Sequence, residues 1–282
     1  MALSLNVMNK LFYSRLSFFT IILYIETNYK QHTMKKLIIL FFLVSNMFFL
    51  KAQEIVVALH YVKVETSHEN KLIELEQTYF KQLHKYAIEN SGKIGWDMWK
   101  LENDKDENYS TFVYAHLWPS LDVFSNNNGW NGQDLFSESE LSRVWEQLSS
   151  LNLDGSKTLM TLYKGGFAPV NEKPAEVLQL SFMNVDPTMF YEYEQKELND
   201  FQPNHKNNEL VVGWGLHKIL NARGEKEEDY VTANFFESMV DVYKNNSMVG
   251  PSTKAQKSNY QSILKLREMT RVEMLTLVDG VR

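Results

Sequence analysis

Apolar positions along this chain recur with two alternating periods, and the alternation lays out its elements. Residues 55–64 alternate with a period of two and are rich in β-branched side chains, which predicts a buried strand. Thr66 and Glu69 then have the spacing of a capping box. Leu72, Leu75, Tyr79, Leu83 and Tyr86 follow at steps of three and four, which predicts a helix with one apolar stripe that ends at Asn90-Ser91-Gly92. Two apolar runs, 94–101 and 112–118, flank the polar turn 102–108 and are expected to pair as strands. After an Asn/Gly-rich stretch at 125–133, Ser137 and Glu140 repeat the cap spacing. Leu141, Val144, Trp145 and Leu148 give this second helix its expected buried face, and a strand at 157–164 closes at Gly165-Gly166. The order is β-α-β-β-α-β.

That order then runs again. Residues 177–185 form a strand, and Asp186-Pro187 supplies an N-cap and an N1 proline to a helix carrying Phe190, Tyr193 and Phe201. Paired strands are expected at 210–220 and 229–236, a helix near 255–266 and a closing strand at 272–278. Pro169 and Pro174 mark 167–176 as a linker, because proline removes backbone donors. Individual residues repeat as well. Ile94-Gly95-Trp96-Asp97-Met98-Trp99-Lys100 stands against Val212-Gly213-Trp214-Gly215-Leu216-His217-Lys218, and Phe112-Val113-Tyr114-Ala115-His116-Leu117-Trp118 against Tyr230-Val231-Thr232-Ala233-Asn234-Phe235-Phe236. The offset is 118 in both cases. A constant offset across separate strands is the signature of internal duplication. The expected organisation is a first ferredoxin-like repeat at 53–166, a linker at 167–176 and a second repeat at 177–282.

Ahead of this lies a different kind of segment. Met34-Lys35-Lys36, the apolar run 37–50 and Lys51-Ala52-Gln53 have the charged, apolar and small-residue parts of a secretory signal peptide, 34–52. The run falls short of the roughly 20 apolar residues that span a bilayer. Cleavage near Ala52 is expected to release an exported protein, periplasmic or secreted, with no stable membrane span. Residues 1–33 read as an over-extended start with no fold assigned.

Composition narrows the function. The 282 residues carry a net charge of −6 and no basic block interleaved with aromatics, which excludes the electrostatic footprint of a nucleic-acid binder. The absence of cysteine rules out thiol nucleophiles, thiolate-held zinc and cysteine-ligated iron–sulfur clusters.

Strand alternation sorts the side chains into two faces. Val113, Ala115 and Leu117 match Val231, Ala233 and Phe235, apolar in both copies and expected under the helices. The alternate face is mixed. It is expected to collect His60, Asp97, Trp99, Tyr114, His116, Gln179, Ser181, His217, Thr232 and Asn234, with Thr161 and Tyr163 from a closing strand. Polar groups among aromatics suit a ligand pocket, so Trp99, Tyr114, His116, His60, His217, Asn234, Thr232 and Tyr163 are the expected ligand-binding residues. His60 and His116 are the candidate bases. The histidines lack His-Glu-x-x-His or His-x-His spacing, so no metal site and no cofactor is predicted. A Gly-x-Ser-x-Gly hydrolase elbow is absent. The helix carboxylates Glu74, Glu76, Glu192, Glu194 and Glu197 read as a solvated face.

A β-α-β-β-α-β unit folds as a four-stranded antiparallel sheet with both helices on one face, leaving the other face to find a partner. In element order and duplication, residues 55–278 resemble the dimeric α/β-barrel superfamily of ferredoxin-like domains in tandem form. That group includes antibiotic-biosynthesis-monooxygenase-like proteins, haem enzymes and stress-responsive barrel proteins. The resemblance implies an α+β fold whose two repeats close into one intramolecular barrel, with ligands in the barrel or between helices and sheet. Haem or a metal remains open from the resemblance alone. Haem-degrading relatives use an asparagine, a tryptophan and an axial histidine near the second helix. Asn184 and Trp118 are available for the first two, while neither predicted second helix here contains histidine. The expected function is binding of a small molecule in the barrel. The alternatives are a cofactor-independent monooxygenase-like enzyme acting on a small aromatic or apolar substrate, and a structural protein whose barrel is filled by its own side chains.

Overall fold

In the computed structural model, residues 54–282 are described except for 127–131, 169–174, 222–223, 225–226, 249 and 252. The expected signal segment and most of the expected linker therefore lie outside the described residues. Strands β1 (Val56–Glu65), β2 (Gly95–Leu101), β3 (Tyr109–Trp118) and β4 (Asp154–Phe167) stand in the spatial order β4-β1-β3-β2. Strands β5 (Val177–Val185), β6 (Gly213–Ile219), β7 (Tyr230–Phe236) and β8 (Arg267–Val281) stand as β8-β5-β7-β6. All neighbours are antiparallel. Because β2 also pairs with β8 and β4 with β6, the sheet closes into an eight-stranded barrel with no free edge.

β4 and β8 run longer than their apolar alternation suggested, because each bridges the two halves. β4 pairs through Leu162 with β1 and from Thr161 onward with β6. β8 pairs with β5 up to Thr276 and with β2 from Leu275. Gly165 and Gly166 do not end β4. The register shifts there and the strand continues to Phe167, with Gly166 at φ +154° passing so close to β6 that a Cβ would lie 2.1 Å from the Trp214 carbonyl oxygen.

Helices cover the outside. α1 (residues 69–90) is interrupted by a π-helical turn at Glu76–Phe80, α2 is Leu121–Asn126 and α3 is Glu138–Ser150. α4 (residues 190–206) has a π turn at Glu197–Phe201, α5 is Met239–Asn246 and α6 is Lys254–Leu264. The short α2 and α5 carry too few periodic positions to be read from sequence. Ser137 and Glu140 form the expected capping box on α3, and Asp186 caps its proline turn. Thr66 and Glu69 do not. Thr66 donates to the Glu107 carbonyl, and Glu69 instead accepts from Lys100 and Ser110. Trp145 departs from the expected buried face, since it is 51% exposed, with its ring edge-on to Phe80.

The two sheet faces are reversed from the expectation for β1, β3, β5 and β7. Val57, Leu59, Val113, Ala115, Leu178, Leu180, Val231 and Ala233 form one core with Trp99 inside the barrel. Tyr114 packs with Trp96, Met98, Leu72 and Leu75 under the helices of the first half, and Phe236 with Trp214 and Tyr193 under those of the second. Cross-strand pairing decides it. Trp96 stands opposite His116 and Asp97 opposite Ala115, so His116 shares the helix-side face of Trp96 while Ala115 shares the inner face of Asp97. Glu76 and Glu197, expected on a solvated face, are buried in the π turns.

Candidate functional site

One end of the barrel interior is closed by side chains. The Tyr61 hydroxyl donates to Glu273 at 2.7 Å, and the Arg271 guanidinium lies 3.6 Å over the Phe182 ring while pairing with Glu228 and Glu273. The other end is open inside, with a cavity of about 320 Å³. Its walls are mainly apolar, from Val57, Leu59, Ala115, Leu178, Leu180, Val231 and Phe235. Polar groups enter at two places.

The first is Asp97 on β2, whose two carboxylate oxygens accept from Arg282 at 2.7 and 2.8 Å. Burial pushes this carboxyl up, and the guanidinium opposes that shift. The second is His217 on β6. Its Nδ1 lies 3.3 Å from the Thr161 hydroxyl, which donates its one proton to the Val57 carbonyl at 3.0 Å. Thr161 can therefore only accept from His217. That places the imidazole proton on Nδ1 and leaves Nε2 with a lone pair. Nothing among the described residues hydrogen-bonds Nε2. It lies against Gly215, where a Cβ would come within 3.1 Å of it, and the ring edge meets Tyr163 with centroids 5.4 Å apart. Burial pulls the His217 pKa down to about 4 and raises that of Tyr163. The imidazole is thus neutral at pH 7, a base aimed into an apolar space.

Of the residues expected to bind ligand, the cavity brings together Trp99, Tyr163 and His217. His60, Tyr114, His116, Thr232 and Asn234 stand on the opposite, helix-side face. Thr232 pairs with Leu216 and Asn234 with Trp214, both beneath the second half's helices. His60 binds the Thr158 hydroxyl at 2.8 Å, and the ring of Tyr114 is 6.2 Å from it. His116 belongs to a separate cluster. Lys93 Nζ lies 2.9 Å from His116 Nδ1 and 3.1 Å from His84 Nδ1, with the Trp118 ring at 5.7 Å. His84 stacks on Trp96 at 4.6 Å. Burial brings Lys93 down to about 7 and lowers both histidines, whose shift its charge deepens. Lys93 is not among the expected site residues, although a signal was present: it lies 118 positions before the apolar Val211, the same offset as the matching strands. Arg282 left no signal of its role. Among the described residues no group of three or more His, Asp or Glu converges as a metal site.

No family model and no curated protein matches the chain. Solved structures do. A protein of Fusobacterium nucleatum provisionally assigned as a monooxygenase is 11% identical, with 81% of this chain and 94% of that chain covered and a TM-score of 0.57. A Lactobacillus acidophilus protein with the same provisional assignment is 7% identical, over 81% of this chain and 96% of that one, with a TM-score of 0.56. An anthrone oxidase-like protein is 11% identical, over 82% and 94%, with a TM-score of 0.50. The chain has the dimeric α/β-barrel fold. At these identities the likeness carries the fold and no residue roles. A dimeric α/β barrel offers two kinds of internal space, and here they differ. The barrel interior holds an apolar cavity with one free imidazole nitrogen, and the first helix–sheet layer holds a packed amine–imidazole cluster.

Proposed function

We propose that this protein is a monooxygenase-like enzyme that takes a small, largely apolar or aromatic substrate into the barrel cavity and oxidises it without a cofactor. The observation that carries the reading is the free Nε2 of His217, its tautomer set by Thr161, inside a cavity with apolar walls. In this scheme His217 takes a proton from an activated C–H of the substrate, and the carbanion supplies the electrons that reduce dioxygen. A CH₂ group and O₂ become C=O and H₂O, with the proton returned through the imidazole. Burial favours neutral histidine, and the apolar walls favour a delocalised anion over a small hydrated one. The provisional assignments of the Fusobacterium and Lactobacillus structures point the same way.

The reading extends to the organisation of the chain. Residues 53–166 and 177–282 are proposed as duplicated ferredoxin-like repeats, supported by the constant offset of 118 and the matching strand orders. Export after cleavage near Ala52 is proposed from the 34–52 pattern. Sequencing the N-terminus of protein from the cell envelope or medium is expected to read Gln53 first, and a chain still carrying Met34 would overturn export.

Anthrone, with its acidic CH₂ between aromatic rings, is the probe of choice for the chemistry. Oxygen uptake and anthraquinone formation are expected with the wild type and are expected to fall on the order of a hundredfold to ten-thousandfold in His217→Ala. Uptake unaffected by that substitution sinks the base assignment. Quenching of tryptophan fluorescence by anthrone without oxygen uptake would move the protein to the binding reading, for which the mainly apolar wall is the supporting observation.

A further inference from the structure

We propose that Lys93 is a carbonyl-reactive amine, forming an imine with a small aldehyde at a site in the first helix–sheet layer, separate from the barrel cavity. Buried lysines are rare unless paired, and the usual partner is a carboxylate. Lys93 is 3% exposed, its hydrogen bonds among the described residues go to two imidazole nitrogens, and the Asp97 carboxylate acts on it only through its charge, which opposes the effect of burial. The fold does not require it. Val211 stands at the same place in the second half, where His205 stacks on Trp214 as His84 does on Trp96, and Asn234 replaces His116.

What the cluster supplies is an amine between two proton acceptors, walled by the Trp96 and Trp118 rings. The unprotonated amine attacks the carbonyl carbon, and the two imidazoles relay the protons that the nitrogen sheds to the carbonyl oxygen, which leaves as water. In sum, amine and aldehyde give imine and water, with no oxidant or reductant consumed. Lys93 is buried while its partner His116 is partly exposed, so a small carbonyl compound is the class that the site would take.

The test is acetaldehyde with sodium cyanoborohydride on the folded, full chain, followed by peptide mass mapping. At pH 7 an amine with a pKa of about 7 has on the order of a thousandfold more free base than an ordinary lysine. Lys93 is therefore expected to be ethylated ahead of the surface lysines, at a rate that levels off above pH 7 while theirs keeps rising. His116→Asn should slow it about tenfold or more. Lys93→Met should lose the fast adduct yet keep anthrone oxidation, which separates this site from the His217 reading. Two results overturn the proposal: Lys93 left unmodified until the chain is unfolded, or Lys93 modified at the pace of the surface lysines without a plateau.

Discussion

The two halves of the barrel share a backbone plan and place their polar chemistry in opposite layers. In the first half the inner face of β2 presents Asp97 and Trp99, and the layer under the helices holds Lys93, His84 and His116. In the second half the inner face of β6 presents Gly215 and His217 at the matching positions, and the layer under the helices has Val211, His205 and Asn234. Two halves with the same strand order are each free to fill two layers, since the strand pleat separates them. Side chains one residue apart on β2 or β6 never compete for the same space. The His217 imidazole of one half thus lines the same cavity as the Trp99 ring of the other.

The sharpest way to break this comparison is to give the second half the inner residue of the first. His217→Trp removes the free imidazole nitrogen and fills part of the cavity. Anthrone oxidation is expected to fall by at least about a hundredfold, equivalent to roughly 3 kcal/mol of barrier. Circular dichroism should show the fold retained, because Trp99 occupies the equivalent strand position in the first half. Turnover that survives the substitution would mean the halves are interchangeable inside the barrel.

Exchanging the outer layers comes next. Val211→Lys puts an ammonium beside Asn234 and the stacked His205 without a second imidazole to receive it, an uncompensated buried charge expected to cost about 3–5 kcal/mol. Lys93→Val leaves two imidazole acceptors without their shared donor, which is expected to cost about 1–3 kcal/mol. Urea unfolding of both variants measures the difference. Equal costs would show that the Lys93 cluster has no special complementarity.

Acid should expose both layers by degrees. Burial lowers His84 and His116 in the first half, and His205 and His217 to about 4 in the second, from an ordinary 6.5. The unfolded chain then binds more protons than the folded one between about pH 4 and 6.5, so stability falls as pH is lowered through that window. Glu76, raised to about 7 by burial, acts in the reverse sense, losing its contribution as pH rises from 4.5. Urea midpoints between pH 4 and 7 should fall towards acid, and His205→Asn should flatten the slope. A midpoint that rises towards acid would show Glu76 outweighing the histidines.

Much of this fold was legible in the sequence, and particular residues show where legibility ended. Gly95-Trp96 and Gly213-Trp214 located β2 and β6, and period-two and period-3.6 runs ordered the rest. The faces of β1 and β3 were not legible, because both are largely apolar. Ala115 and Tyr114 are each credible core residues, and only the register Trp96 to His116 says which points inward. Strand by strand, the sequence does not separate His217, which faces the barrel interior, from His116, which lies on the helix side. Asp97 and His217 alternate with Trp96, Met98 and Leu216, which pack under the helices, and so face the barrel interior. Arg282 reaches Asp97 from 185 positions away in sequence, a contact no local pattern encodes.

The smallest expected difference between the halves lies at their helix starts. Ser137 caps α3 by accepting from the Glu140 amide while Glu140 reaches back to the Ser137 amide, and Thr253 and Gln256 build the same box on α6. Both boxes satisfy otherwise orphaned amide groups, so Ser137→Ala and Thr253→Ala should each cost about 1 kcal/mol. Glu140 is charged and Gln256 is not, and a carboxylate in the first turn also interacts with the positive end of the helix. Salt separates the two contributions, because it screens the charge and leaves the hydrogen bonds in place. Glu140→Gln should therefore lower stability slightly at low ionic strength and lose most of that effect in molar salt, while Gln256→Glu should gain by the same route. Urea midpoints at two salt concentrations measure both. Identical responses to salt in the two variants would mean that the helix starts, unlike the layers beneath them, are equivalent in the two halves.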